Sequence, residues 1–115
     1  MEYGTGLERR DGEDPEYAIL IDPRAPKFFA AGHLPGAVNL RLPDVREDDD
    51  KDAGLEKYDR LIVYGDNPGT PVAQAMFKRL LAVGYGGVRF YAQGLEEWTR
   101  SGGRVETSEL PAVEE

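Results

Sequence analysis

Four short apolar runs, separated by helical or turn-rich segments, predict an α/β fold. The runs are residues 18–21, 37–40, 61–64 and 88–91. Runs of this length that end at Asp, Gly or Pro are typical of strands buried on both faces. Strands that alternate with helices indicate a central parallel sheet with helices on both faces.

Helices are predicted over residues 25–31, 71–83 and 94–101. The central one is amphipathic, with five apolar side chains on one face: Val72, Ala73, Met76, Phe77 and Leu80. Thr70 suits the N-cap, Pro71 suits the first helical position and Gly84 suits the C-terminal stop. Aromatic residues of these elements, Phe29, Tyr64, Phe77, Phe90 and Trp98, are predicted to lie in the core.

The chain of 115 residues is predicted to hold one folded domain over residues 17–106. Residues 1–16 are acidic and lack an apolar period, which predicts a loosely ordered lead-in, and residues 107–115 are predicted to be an acidic tail. The charge run 46–52 is interpreted as a solvated loop. It lacks the spaced oxygen ligands and fixed glycine of a calcium loop, so no metal site is predicted.

Charge and composition exclude several function classes. The formal net charge is -8, which disfavours nonspecific binding to nucleic acid or anionic membranes. The chain has no cysteine, so disulfides, thiolate metal sites and thiol catalysis are excluded. No cofactor is predicted. The N-terminus carries no basic and apolar signal, and no apolar run reaches the length of a membrane helix, so a cytoplasmic protein is expected.

The loop after the third apolar run is the position that geometry favours for function. Its residues are Gly65, Asp66, Asn67, Pro68, Gly69 and Thr70, and it joins the carboxyl end of a strand to the start of a helix. Ligands of open parallel sheets bind at such strand ends, and helix N-termini favour anions. We therefore expect this 65–70 loop to bind a small anion weakly through its backbone N–H groups, with Asp66 opposing.

Three stretches of the chain resemble rhodanese-like domains. Ile21-Asp22-Pro23-Arg24, followed by Gly32-His33-Leu34-Pro35-Gly36-Ala37, is similar to the family's Asp-Val-Arg and Gly-His-Ile-Pro-Gly-Ala pattern. Ile62-Val63-Tyr64 resembles the strand that delivers the family's catalytic cysteine. Gly94-Leu95-Glu96-Glu97-Trp98 resembles the family's closing helix. The resemblance spans residues 18 to about 105 and implies the family's five-stranded parallel sheet with flanking helices.

The resemblance also implies which active-site groups are missing. Gly65 stands where active members have the cysteine that accepts sulfur, and Thr70 stands where their loop commonly has an arginine. In related phosphatases the arginine position corresponds to Pro71. A hydroxyl cannot replace the thiol in persulfide formation, and no His or Lys of the loop could activate Thr70. A cysteine introduced at Gly65 is expected to face the former cradle.

Three further family positions are interpreted as structural. Asp22 and Arg24 are expected to tie the strand end to neighbouring backbone, with Arg24 short of a partner because Phe28 stands where the family often has Glu. His33, the single histidine, is expected to pack beside the loop and not to bind metal.

The leading functional hypothesis is a non-catalytic rhodanese-like module that binds or regulates a protein partner, with a weakly bound small anion as a further ligand. The alternatives are an enzyme that uses Asp66, Thr70 and the loop amides in sulfurtransferase- or phosphatase-related chemistry, a chain whose cysteine has been replaced, and a structural or oligomerisation domain. The oligomeric state is left open by the sequence.

Overall fold

The computed structural model describes residues 18–46 and 50–108. The predicted lead-in, residues 1–16, lies outside these ranges, as do residues 47–49 of the charge run and most of the predicted tail. Strands and helices alternate in the order β1 (Ala18–Asp22), α1 (Pro26–Ala31), β2 (Val38–Asn39), α2 (Ala53–Glu56), β3 (Arg60–Tyr64), α3 (Pro71–Val83), β4 (Val88–Tyr91) and α4 (Gly94–Arg100). A short 3-10 helix, Leu42–Asp44, follows β2.

The strands form one parallel sheet in the order β2-β1-β3-β4. In the central pair Ile19 lies opposite Leu61 and Ile21 opposite Val63. The predicted parallel α/β architecture is therefore confirmed. The resemblance implied five strands, whereas the sheet within residues 18–46 and 50–108 has four.

Successive side chains of the central strands point to opposite faces of the sheet, and they contribute to a separate core on each face. On one face Ile21 and Val63 pack with Met76 and Leu80 of α3. On the other face Tyr64 packs with Leu34 and Ala37, and with Phe29, Leu95 and Trp98 of the α1 and α4 side. Helices thus cover both faces of the sheet, as the sequence pattern predicts.

Helix α3 matches its prediction at both ends. Pro71 occupies the first turn, and Gly84 ends the helix in the left-handed region at φ 110°, which a residue with Cβ adopts only under strain. Ala73, Met76 and Leu80 of the predicted apolar face are fully buried. Thr70 does occupy the N-cap position, but its side chain makes no capping hydrogen bond. That part of the prediction is wrong, because the hydroxyl serves the 65–70 loop instead.

The region after β2 departs most from the prediction. The run 37–40 contributes only Val38–Asn39 to the sheet. The 3-10 helix and the four-residue α2 are absent from the sequence prediction, because neither is long enough to show an apolar period. Asp52 caps α2 by accepting a hydrogen bond from the backbone N–H of Gly54 at 2.7 Å. No helix among the described residues is long and apolar enough to cross a membrane.

Candidate functional site

A buried ion pair lies at the carboxyl end of β1. Asp22 is fully buried and Arg24 is 6% exposed. The Arg24 guanidinium donates from Nε to Oδ1 and from Nη2 to Oδ2 of Asp22, at 2.9 and 2.8 Å. Nη2 also donates to the backbone carbonyl of Gly32 at 2.6 Å. Two donors on one carboxylate fix the plane of the guanidinium. Through Gly32, the pair therefore ties the C-terminal end of α1 to the end of β1.

Tyr64, the last residue of β3, joins the same network. Its hydroxyl donates to Asp22 Oδ2 at 2.7 Å and accepts from the backbone N–H of Leu34 at 3.1 Å. Burial, together with the negative charge and hydrogen bond of Asp22, raises the pKa of Tyr64 well above its usual value. We call Asp22, Arg24 and Tyr64 the strand-end network.

Arg24 has a second carboxylate partner that sequence analysis missed. Its Nη1 donates to Oδ1 of Asp66 at 2.8 Å, and the Asp66 side chain is 49% exposed. The expectation that Arg24 lacks a partner, since Phe28 replaces a Glu, is therefore wrong. Phe28 is largely exposed, and Asp66 supplies the charge from the loop. Burial would lower the pKa of Arg24, but the hydrogen bond and charge of Asp22, with the charge of Asp66, raise it.

The 65–70 loop is closed by the Thr70 side chain. Its Oγ1 accepts from the backbone N–H of Asp66 at 2.9 Å and of Asn67 at 3.0 Å, and it donates to the Asn67 carbonyl at 2.9 Å. Gly69 N–H donates to the side chain of Asn67 at 2.9 Å. Pro68 has no N–H. The backbone N–H groups of Asp66, Asn67, Gly69 and Thr70 thus have partners within the loop, and weak anion binding stays a prediction.

Helix α4 begins directly against the same loop. The backbone N–H groups of Leu95 and Glu96 donate to the carbonyls of Gly65 and Asp66, both at 2.9 Å. Gly94 permits this approach, because it has φ +72° and a Cβ there would stand 2.7 Å from either carbonyl oxygen. A glycine before a helical pattern was visible in the sequence, but its contact with a distant loop was not.

Gly65 is packed against side chains where a nucleophile would stand. A Cβ added to Gly65 would lie 2.6 Å from Cβ and 2.7 Å from Cγ2 of Thr70, and 2.9 Å from Cβ of Ala73. The φ of Gly65 is not positive, so the obstacle is steric and not conformational. A cysteine introduced at Gly65 was expected to face the former cradle, and the side chains of Thr70 and Ala73 occupy that space in the chain as it stands.

His33 packs against α1. It is buried, its ring stacks on Phe29 at 3.8 Å, and Nδ1 lies 2.7 Å from the Phe29 carbonyl. Its backbone pairs antiparallel with Glu106, whose carboxylate oxygen is 4.0 Å from Nε2. His33 therefore packs as a core residue and ties residues near Glu106 to the domain.

The hydrogen bonds and ion pairs of this region join backbone elements to one another. The arrangement brings Asp22, Arg24 and the 65–70 loop together at the carboxyl ends of β1 and β3. The Thr70 hydroxyl donates its proton to the Asn67 carbonyl, which is a backbone acceptor and not a side-chain base. No group of three His, Asp or Glu residues suited to a metal ion occurs within residues 18–46 and 50–108.

A separate depression lies on the α3 face of the sheet, away from the loop. It has a volume of about 510 Å³, and its lining includes Val45, Leu55 and Tyr85. Two of its carboxylates already serve local backbone, since Asp44 accepts from Arg41 N–H and Asp52 caps α2. These groups therefore act as structural caps at its rim.

Comparison with known proteins agrees with this fold. The family model of the rhodanese-like domain matches residues 7–101. The BH2092 protein from Bacillus halodurans has a similar structure, with TM-score 0.67 and 24% identity over 80% of this chain and 65% of that chain. The chain thus spans slightly less than two thirds of that relative.

The rhodanese-like domain of the Alr3790 protein from Anabaena sp. is also similar. Its X-ray structure gives TM-score 0.63 and 25% identity over 84% of this chain and 87% of that domain. Its solution structure gives TM-score 0.64 and 24% identity over 82% and 67%. No protein of curated function matches the chain.

Proposed function

The chain belongs to the rhodanese-like domain family, and we propose that it serves there as a binding or regulatory module that does not transfer sulfur. One observation carries the proposal. The space in front of Gly65, where the family places its cysteine, is filled by the side chains of Thr70 and Ala73, in a chain that has no cysteine. Persulfide formation needs an ionisable sulfur nucleophile with room to react, and both are lacking.

A protein partner is the ligand we propose for this module. Asp66 and Glu96 place negative charge at the 65–70 loop, and the backbone N–H groups of Asp66 and Asn67 already donate to Thr70 Oγ1. These features disfavour an anionic ligand. Hydrogen bonds from α4 and from Arg24 hold the 65–70 loop, and a surface that is ordered before binding pays little ordering cost. The predicted cytoplasmic location remains a prediction.

The enzymatic alternative finds no supporting geometry. Thr70 would need a base to remove its proton, and its hydroxyl instead donates to the Asn67 carbonyl. Asp66 is engaged by Arg24. A structural or oligomerisation role stays an alternative that solution measurements must separate.

Three measurements on the purified chain test the proposal. Transfer of sulfur from thiosulfate to cyanide, and hydrolysis of a phosphate ester, are expected to proceed at the uncatalysed rates. Light scattering tests for self-association. A turnover that survives repurification and is lost in Thr70→Val would overturn the proposal in favour of an enzyme. A stable oligomer that buries the 65–70 loop would favour the structural alternative.

A further inference from the structure

We propose that a groove beside α2 docks a basic, amphipathic peptide segment of a protein partner. Two depressions border this helix. The first, of about 510 Å³, is lined in part by Leu55 of α2, and the second, of about 340 Å³, is lined in part by Glu56 of α2. Tyr85 lines both depressions, so they adjoin. We call the two depressions together the α2 groove.

Apolar side chains in the α2 groove offer area for an apolar anchor. Four of them are only partly buried, although they pack against the core: Leu40, Leu55, Tyr58 and Val83. An apolar side chain placed here would remove more of their surface from water, which favours binding. The volume of the first depression also lies within the usual range for ligand sites, roughly 300–1,000 Å³.

The charged residues of the α2 groove are nearly all acidic. Among the described residues, its lining holds one basic side chain, that of Arg46, and five carboxylates, those of Asp44, Asp50, Asp52, Glu56 and Asp59. The first three are exposed. Asp44 and Asp52 each accept one backbone N–H, whereas a carboxylate has about four acceptor sites. Their role as caps therefore leaves both able to pair with a cation.

Charge determines which occupant fits the α2 groove. The chain's own termini are unsuited, because residues 1–17 hold six acidic and two basic residues, and residues 109–115 hold three acidic and no basic residues. A second copy of the chain carries the same net charge of -8. Like charges disfavour both occupants, while a basic segment is complementary. The apolar lining adds the requirement that this segment also carries apolar side chains.

The α2 groove and the 65–70 loop lie at opposite ends of β3. Asp59 and Leu61 line the groove at the first residues of this strand, and the loop leaves its last residue, Tyr64. A strand of five residues separates the two by roughly 15 Å. Docking at the α2 groove rests on the binding role proposed above, and it specifies the charge of the partner while leaving the loop accessible.

Titration of the methyl-labelled protein with a short amidated peptide, in which lysine and leucine form an amphipathic helix, tests the docking surface. Saturable shifts are expected for the methyl groups of Leu55 and Val83, which line the groove, and not for Leu95, which contacts the 65–70 loop. Affinity should fall as sodium chloride is raised, because salt screens exposed charges. Two control peptides, with serine for leucine or glutamate for lysine, are expected to bind much more weakly.

Two triple variants with equal changes in net charge locate the binding site. Asp44→Asn with Asp50→Asn and Asp52→Asn removes three charges from the groove, and asparagine can still accept the capping hydrogen bonds. This variant should bind the lysine–leucine peptide roughly tenfold more weakly. The control removes three charges near the loop, by Asp66→Asn with Glu96→Gln and Glu97→Gln. It is expected to change the affinity by less than about twofold.

Four results would refute the docking surface. They are no saturable binding by the unmodified protein up to about 1 mM peptide, shifts at Leu95 in place of Leu55 and Val83, equal losses in the two triple variants, and equally tight binding of spermine, which would indicate a site for small cations. If the groove variant does not fold, the methyl shifts and the control peptides decide. Sulfur transfer is measured separately, so this surface can fail while the proposed function stands, and the reverse.

Discussion

The strand-end network and the 65–70 loop lie side by side, yet they use polar groups in opposite ways. Asp22, Arg24 and Tyr64 are buried and bond to one another and to distant backbone. The loop is partly exposed, and it bonds within itself through Thr70 and Asn67 and to the start of α4. The network therefore stabilises the fold, whereas the loop determines which groups the carboxyl end of the sheet presents to solvent.

This difference teaches that the stability of the scaffold does not depend on the chemistry of the 65–70 loop. Buried charges must be paired, so changing one member of the network leaves another uncompensated in the interior. The loop has no such constraint, because its carbonyls and amides are satisfied by α4 and by Thr70. A nucleophile can thus be absent while the fold that surrounds it persists.

The largest expected effect comes from removing the cation of the network. Arg24→Met leaves the Asp22 carboxylate buried without its charge partner, which typically costs about 3–5 kcal/mol. Urea denaturation is the measurement. Arg100→Met, which removes an exposed pair with Glu97, is the control and should change stability by less than about 0.5 kcal/mol. A loss of stability in Arg24→Met as small as that of the control would contradict the structural role given to the strand-end network.

The next effect concerns space in the loop. Gly65→Cys places a Cβ against Thr70 and Ala73, and such overpacking costs about 1–3 kcal/mol. Gly65→Cys with Thr70→Gly should recover part of this loss in a thermal melt. The double variant should also take up sulfur from thiosulfate faster than Gly65→Cys alone, as read by intact mass. Gln74→Cys on the exposed face of α3 is the control. Equal uptake by the two Gly65→Cys variants would show that Thr70 does not block the position.

The Tyr64 hydroxyl gives a comparable or smaller effect with a defined pH dependence. Tyr64→Phe removes a donor to Asp22 and is expected to cost about 1–3 kcal/mol at neutral pH. The pKa of Tyr64 is raised on folding, so its contribution is present below the unfolded pKa of about 10 and is lost as pH rises above it. Urea melts between pH 7 and 11 should therefore converge for the two proteins. Tyr85→Phe, which loses one bond from Asp52 N–H, is the control for removing a tyrosine hydroxyl at neutral pH.

The smallest effect is expected at the contact between the two regions. Asp66→Asn weakens a half-exposed ion pair with Arg24, while Asp22 and the Gly32 carbonyl keep Arg24 satisfied. A loss of about 1 kcal/mol or less is expected in denaturation. A loss as large as that of Arg24→Met would show that the loop belongs to the network energetically.

The sequence predicted the elements whose signals are local. Residues 71–83 carry their own period, first proline and final glycine, and α3 has those bounds. Contacts between residues far apart in the chain leave no such local signal, so the sequence did not predict them. The pairing of Arg24 with Asp66 joins residues 42 positions apart, and the Gly94 approach to the loop depends on a backbone angle. The engagement of the loop amides was not predicted for the same reason, because nothing local shows that Thr70 turns toward the loop and away from its helix.

Amide hydrogen exchange at Asp66 and Asn67 tests the central claim most directly, since the claim is that the Thr70 hydroxyl closes the loop. Both amides should be protected in the unmodified protein. Thr70→Val replaces the hydroxyl by a methyl group of similar size, and it should remove that protection while the amides of Leu95 and Glu96 stay protected. Unprotected amides in the unmodified protein, or protection that Thr70→Val leaves unchanged, would contradict the account.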